Sequence, residues 1–217
     1  MGLDFKVTEN TLIPRGDTEN IVEEVIATIE NSGYNTVLDM CTGTGAIAIS
    51  VAHYTKAKVT ASDISSKALE VARENAKILN ADVNFIESDL FENINETFDV
   101  LVSNPPYIES EVIPTLMEQV KDYEPMLALD GGKDGLDFYR NIINQAKNYI
   151  NQNGCIVFEI GYNQGGQVKS LLENAGFVNI NVKQDLAGLD RLVIGFKLWY
   201  TDHIRTGGKK CLKDLQI

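Results

Sequence analysis

The stretch TVLDMCTGTGAIAISVAHY (36–54) decides how this chain folds. Its first five residues form a short apolar run, the pattern of a strand buried on both faces. Thr42, Gly43, Thr44 and Gly45 then interrupt it, and glycine at such a turn lets the backbone reverse sharply. AIAISVAHY (46–54) follows as a helix. A strand, a glycine turn and a helix in this order open a βα unit of a parallel sheet.

The same alternation continues outward in both directions. KVTASD (58–63) is a second strand. Ser65 then caps a helix running to about residue 80, with Leu69, Ala72, Ala76 and Leu79 on one stripe. DVNFIESD (82–89), FDVLVS (98–103) and CIVFEI (155–160) are three further strands. Toward the N-terminus, residues 18–31 read as a helix. Toward the C-terminus, residues 164–175 form a helix that stops at Gly176. FVNINVKQD (177–185) and RLVIGFKLW (191–199) are alternating strands joined by a turn at 187–190. That turn is too short for a parallel crossover, so one of the two runs antiparallel. The expected fold is therefore α/β: a doubly wound, mainly parallel seven-stranded sheet with one antiparallel strand near the C-terminus. Residues 1–35 supply a leader and one helix, 36–199 the core, and 200–217 a frayed or loosely docked tail.

Composition narrows the function. The 217 residues suit one compact domain, and no apolar run approaches a bilayer span. The N-terminus MGLDFKVTEN has neither the basic nor the apolar region of a signal peptide, so a cytoplasmic location is expected. Position 6 is Lys, which removes the myristoylation pattern that Met-Gly would start. Cys41, Cys155 and Cys211 are odd in number and far apart, which argues against a disulfide framework. His53 and His203 have no neighbouring ligand partners in the sequence, and no metal site is expected. A net charge of −12 disfavours nucleic acid as the main partner, since that affinity draws on Lys and Arg.

Two patterns carry chemistry. The loop Cys41-Thr42-Gly43-Thr44-Gly45 precedes a helix N-terminus, and Asp63 ends the second strand, where a carboxylate can accept from ribose hydroxyls. The loop lacks the full G-x-G-x-x-G of a pyrophosphate site. A ligand without phosphates, such as the methionine portion of S-adenosylmethionine, suits it as well. Asn104-Pro105-Pro106-Tyr107 leaves the fourth strand. If that strand neighbours the first, this corner faces the glycine loop across the switch in strand order. An amide or aryl-amine nitrogen is a poor nucleophile because its lone pair is delocalised. Asn104 offers a side-chain acceptor for such an NH2 group, the backbone carbonyls of Asn104 and Pro105 offer two more, and Tyr107 can pack on a flat target. The prolines stiffen the corner and remove competing N–H donors. Amino-group methylation is the chemistry these residues point to.

The sequence resembles the bacterial peptide-chain-release-factor glutamine N5-methyltransferases from Phe5 to about Lys197. The stretches that carry the likeness include LIPRGDTENIVE (12–23), VLDMCTGTGAIAIS (37–50), FDVLVSNPPYI (98–108), YEPMLALDGGKDGLDFYRNII (123–143), FEIGYNQ (158–164) and DLAGLDRLVIG (185–195). NPPY alone is shared with DNA adenine and RNA guanine N-methyltransferases, whereas the stretches at 14–19 and 124–140 are far more specific. The resemblance implies a Rossmann-like class I methyltransferase using S-adenosyl-L-methionine and releasing S-adenosyl-L-homocysteine. Family cofactor contacts fall on residues 41–45, Asp63, Asp89, Leu90 and Asn104. The substrate amide falls on residues 104–107, and Arg15 and Glu19 line or brace the site. The implied partner is a release factor, presenting the glutamine of its Gly-Gly-Gln loop. Three features depart from the family: Cys41 replaces its first motif glycine, Gly16-Asp17 replaces its Pro-Glu, and the chain begins where the family's catalytic domain begins, without the usual N-terminal helical domain. On the residues alone, two other readings stay open: a nucleic-acid base N-methyltransferase and a non-catalytic S-adenosylmethionine-binding module.

Overall fold

The computed structural model describes residues 1–198. The tail expected at 200–217, with His203 and Cys211, lies outside the described residues. After the leader come α1 (Thr18–Ser32), β1 (Thr36–Met40), α2 (Ala46–Tyr54), β2 (Lys58–Asp63), α3 (Ser66–Ile78), β3 (Val83–Glu87) and β4 (Phe98–Ser103). Two single-turn helices, α4 (Glu118–Lys121) and α5 (Met126–Leu129), and the longer α6 (Asp137–Ala146) lead to β5 (Ile150–Glu159). The chain then runs through α7 (Gly165–Asn174), β6 (Val178–Gln184) and β7 (Asp190–Phe196).

The seven strands lie in the order β3-β2-β1-β4-β5-β7-β6. β1 to β5 are parallel, and β7 runs antiparallel to both β5 and β6. This is the doubly wound sheet read from the sequence, with its order reversing between β1 and β4. Strand alternation divides the core into two. Leu38, Met40, Leu101, Ile156 and Phe158 point to the face covered by α6 and α7. Val37, Val100, Val102, Cys155 and Val157 point to the face covered by α1 and α2. The central strands β1 and β4 and the second half of β5 are buried on both sides because helices cover both faces there.

Local signals explain most boundaries. Gly33 ends α1 at φ +69°, donating to the Ile29 carbonyl. Ser65 caps α3 by accepting from the Ala68 N–H. Two differences from the sequence reading stand out. β5 starts at Ile150 rather than at residue 155, because Asn151, Asn153 and Gly154 disguise its first half as a loop. There Asn151 donates to Asp99, and a side chain on Gly154 would sit 2.5 Å from the Asp99 carbonyl. α6 has no counterpart in the sequence reading, although Tyr139, Ile142, Ile143 and Ala146 are buried at helical spacing.

Candidate active site

The C-terminal ends of β1 and β4 lie side by side, with Met40 paired to Ser103. The Ser103 hydroxyl donates to the Met40 carbonyl at 2.7 Å and locks the two exits together. The glycine loop leaves one exit and the Asn-Pro-Pro-Tyr corner the other. Between them lies a cavity of about 360 Å³, within the size range of small-molecule sites.

A buried carboxylate builds the loop from below. Asp39, the fourth residue of β1, accepts from the Thr42 hydroxyl at 2.5 Å and the Ala48 N–H at 3.1 Å. It thus ties the loop to the first turn of α2. Burial pushes its pKa up to about 7, against the lowering pull of those two donors. Asp63 holds the loop from the side. Its two oxygens accept from the N–H groups of Gly43 and Ser65, each at 2.9 Å. Burial raises the pKa of Asp63, and these backbone bonds oppose the rise. Asn75 holds the loop from α3: its side-chain NH2 donates to the carbonyls of Thr44 and Lys6, and its oxygen accepts from Lys6 N–H.

The backbone of the loop is wound through left-handed conformations. Cys41, Gly43 and Gly45 have φ of +61°, +55° and +81°. Leu90 across the cavity is also left-handed, at φ +47°. Such conformations cost non-glycine residues about 1–2 kcal/mol, and they gather where a site needs its backbone close to a ligand. At Gly45 a Cβ would also meet Ile49 Cδ1 at 2.8 Å. Burial, with Asp63 next, raises the pKa of the Cys41 thiol, so it stays neutral.

Of the residues expected at a cofactor or substrate site, Cys41, Thr42, Gly43, Thr44, Asp63, Asp89, Leu90, Asn104 and Pro106 line this one cavity. Gly45, Pro105 and Tyr107 lie off its lining. The Tyr107 ring packs instead toward the core beneath the corner. Arg15 and Glu19 line a smaller neighbouring cavity. They are not paired with each other: Arg15 bonds Glu124 at 2.6 Å, and Glu19 takes the N-terminal ammonium.

Several contributors were not legible in the sequence. Asn10, Thr11, Leu12 and Pro14 of the leader form one wall, and Leu127, Ala128, Phe138 and Asn141 another. The leader shows no periodicity that would mark it as part of a site. Asn75 did carry a signal, since it is a polar residue beside the apolar stripe of its helix. Among the described residues, the cavity is lined by two carboxylates, Asp63 and Asp89, and by no Lys, Arg or His.

The corner itself is held by close backbone packing. A Cβ on Gly131 would lie 2.7 Å from Tyr107 Cα, and one on Gly135 would lie 2.4 Å from the Tyr107 carbonyl oxygen. These glycines are therefore needed for the 131–135 loop to lie against residues 106–107. Gln164 completes the clamp, donating to the Tyr107 carbonyl at 2.9 Å and the Gly135 carbonyl at 3.2 Å while accepting from Gly161 N–H. The Arg15–Glu124 pair joins the two most distinctive stretches of the sequence, 14–19 and 124–140. With Glu124 almost fully buried, that pair fixes the leader against the segment over the cavity.

Comparison with known proteins agrees with this architecture. The family model described as "Methyltransferase small domain" matches residues 23–131. The chain is 47% identical over 203 residues to the release factor glutamine methyltransferase of Clostridium acetobutylicum, covering 91% of this chain and 71% of that protein. It is 45% identical to the same-named protein of Fusobacterium nucleatum, covering 90% and 56%. Among solved structures, the protein-(glutamine-N5) methyltransferase (release factor-specific) of Alicyclobacillus acidocaldarius matches with a TM-score of 0.54 at 27% identity, over 89% of this chain and 99% of that one. This level of identity, spread over nine-tenths of the chain, means that it belongs to the release factor glutamine methyltransferase family.

Proposed function

We propose that this chain transfers the methyl group of S-adenosylmethionine to the side-chain amide nitrogen of a glutamine in the Gly-Gly-Gln loop of peptide-chain release factors, in the cytoplasm. The observation that carries this reading is the shared cavity. The glycine loop and Asn104 line the same space, whose charged groups are two carboxylates and whose lining has no cation among the described residues. Such a lining repels a phosphate and attracts a cation. When bound, S-adenosylmethionine supplies a methyl group activated by a positively charged sulfur.

The protein's own residues supply position and polarity. Asp63 already accepts one backbone N–H on each oxygen, and each oxygen keeps a lone pair for a ribose hydroxyl. Asn104 holds the target NH2 through its side-chain carbonyl oxygen, aided by its own backbone carbonyl. Gly131, Gly135 and Gln164 fix the corner from behind, so these acceptors do not have to be ordered at the moment of reaction. Bringing the nitrogen to about 3–3.5 Å from its target supplies proximity. Acceptor dipoles aimed at the nitrogen stabilise the positive charge that grows there, and one such group is worth about 10²–10³ in rate by analogy with oxyanion holes of opposite sign. No general base is needed before attack, because the cationic nitrogen loses its proton readily to water.

The test is incubation with labelled S-adenosylmethionine and purified release factor, followed by peptide mapping by mass spectrometry. Methyl on the Gly-Gly-Gln glutamine is expected. Label entering only nucleic acid, or none transferred at all, would overturn the proposal.

A further inference from the structure

Glu159 ends β5 next to the corner. Ser103 pairs with Phe158, so Asn104 and Glu159 are the next residues on neighbouring parallel strands. Glu159 is 4% exposed, and its Oε2 has no hydrogen-bond partner among the described residues. A buried carboxylate oxygen without a donor is costly and calls for an explanation. Its backbone carbonyl is held by the Tyr139 hydroxyl at 2.8 Å, so the residue is fixed from α6 as well. The side chains of Thr18 and Asn104 lie close enough to act on the carboxylate.

We propose that Glu159 is a positioning residue for Asn104: its carboxylate takes the Asn104 NH2 group, so that the Asn104 carbonyl oxygen is turned toward the substrate amide. An asparagine side chain is a two-way switch, with donor and acceptor ends of nearly equal size. Only the acceptor end can hold an NH2 group with its lone pair free. A neighbouring carboxylate accepts and, when ionised, does not donate, so it selects one of the two orientations. It also places a negative charge behind the amide dipole, on the line along which positive charge develops at the substrate nitrogen. The idea rests on the assignment of the target amide to Asn104.

The surroundings give it a pH signature. Burial pushes the Glu159 pKa up to about 7, against Thr18 and Asn104. The groups facing it are Asp17 and Thr18 at the start of α1, Asn104 and Tyr107 after β4, Tyr139 on α6 and Arg191 on β7. Tyr107 and Tyr139 are held neutral by burial, and Arg191 stays charged, which leaves Glu159 to titrate near neutrality. Protonated, it can donate to Asn104 and lose its selectivity, so turnover falls as pH drops through about 7.

The experiment compares wild type and Glu159→Gln on release factor at saturating S-adenosylmethionine, from pH 6 to pH 9. Saturation removes the effect of Asp39, which also titrates near 7 but lies under the cofactor loop. Replacing a charged acceptor by a neutral one weakens the bond enough to lower kcat about tenfold above pH 8. The acid limb of the kcat profile disappears, while KM for release factor and cofactor affinity change less than about threefold. An unchanged kcat with its acid limb intact overturns the proposal. A second comparison covers the case in which Glu159→Gln folds poorly. Asn104→Asp places two carboxylates together and is expected to be nearly inactive. Adding Glu159→Gln to it restores a donor–acceptor pair and recovers at least tenfold in kcat; no recovery overturns the proposal. Wild-type enzyme that leaves release factor unmethylated would instead refute the underlying assignment of substrate, so the two failures are distinct.

Discussion

At the scale of single residues, Asn104 and Cys41 each put one part of the proposed function to the test. Asn104 lines the cavity on the side of the corner. Replacing it with alanine is expected to lower turnover by about 10²–10³ while S-adenosylmethionine affinity stays within a few-fold. Kinetics and calorimetry on one preparation check this, and equal loss in both would mean that the side chain serves mainly the cofactor. Cys41 tests strain. It stands at φ +61° where glycine is at ease. Cys41→Gly should relieve about 1–2 kcal/mol in the folded state, offset by about 0.5–1 kcal/mol of extra chain entropy when unfolded. The expected result is equal or slightly higher thermal stability with cofactor affinity retained. A large loss of affinity would show that the thiol itself makes a contact. Individual residues were legible in uneven measure. Asp63 ends a clear strand and Asn104 opens the conspicuous Asn-Pro-Pro-Tyr corner, whereas Glu159 reads simply as the polar end of an apolar strand. Its meaning comes from the pairing of β5 with β4, which no local pattern records.

At the scale of elements, glycine positions distinguish packing from accident. Gly131 has the backbone of Pro106 and Tyr107 within 2.9 Å of where a Cβ would stand. Gly131→Ala therefore has no flexible side chain to push aside and must shift the corner. It is expected to cost about 1–3 kcal/mol. A displacement near 1 Å would lower kcat about 10²-fold. Gly166 in α7 has nothing within 4 Å, so Gly166→Ala should be neutral or stabilising by up to about 1 kcal/mol. Thermal denaturation and steady-state assays of the pair check the contrast; equal behaviour would show that the 131–135 loop adjusts freely. The elements themselves were read well where periodicity was long and clean. The seven strands, the antiparallel pair and the helices at 18–31 and 164–175 all have counterparts. α6 is masked because a stretch of turns and short helices, residues 104–136, separates it from β4 and hides its register. The early start of β5 is masked because Asn151, Asn153 and Gly154 are poor strand formers, and the contacts of Asn151 and Gly154 with Asp99 lie on the neighbouring strand.

At the scale of the whole molecule, buried acids shape the response to pH. Asp39 and Glu159, ordinarily near 3.8 and 4.5, are both raised by burial to about 7. Between those limits the folded chain holds protons that the unfolded chain has released. Stability from these two groups is thus greatest below about 4 and is lost as pH rises to about 7, each worth on the order of 3 kcal/mol. Asp134 behaves oppositely: its bond to Arg140 lowers its pKa to about 2, and Asp99 is lowered by Asn151, Asn35 and Thr36 against the effect of burial. Their contribution is lost as pH falls below the ordinary carboxylate range. The cofactor-free protein should therefore be most stable at about pH 4–5 and lose stability steadily as pH rises to about 7. Melting temperatures across that range check this; a midpoint that rises steadily to pH 8 would contradict it. The net charge of −12 acts in the same direction, since acidification relieves self-repulsion.

The ion pair between Arg15 and Glu124 joins positions 109 residues apart. One side of the rim is thus made first during synthesis and the other only after the fourth strand has emerged. A nascent chain halted near residue 110 would carry the glycine loop, Asp63, Asp89 and the asparagine corner, yet have no clasp across the opening. The rim of the cavity is therefore closed only after every residue that the first four strands bring to its lining has been made.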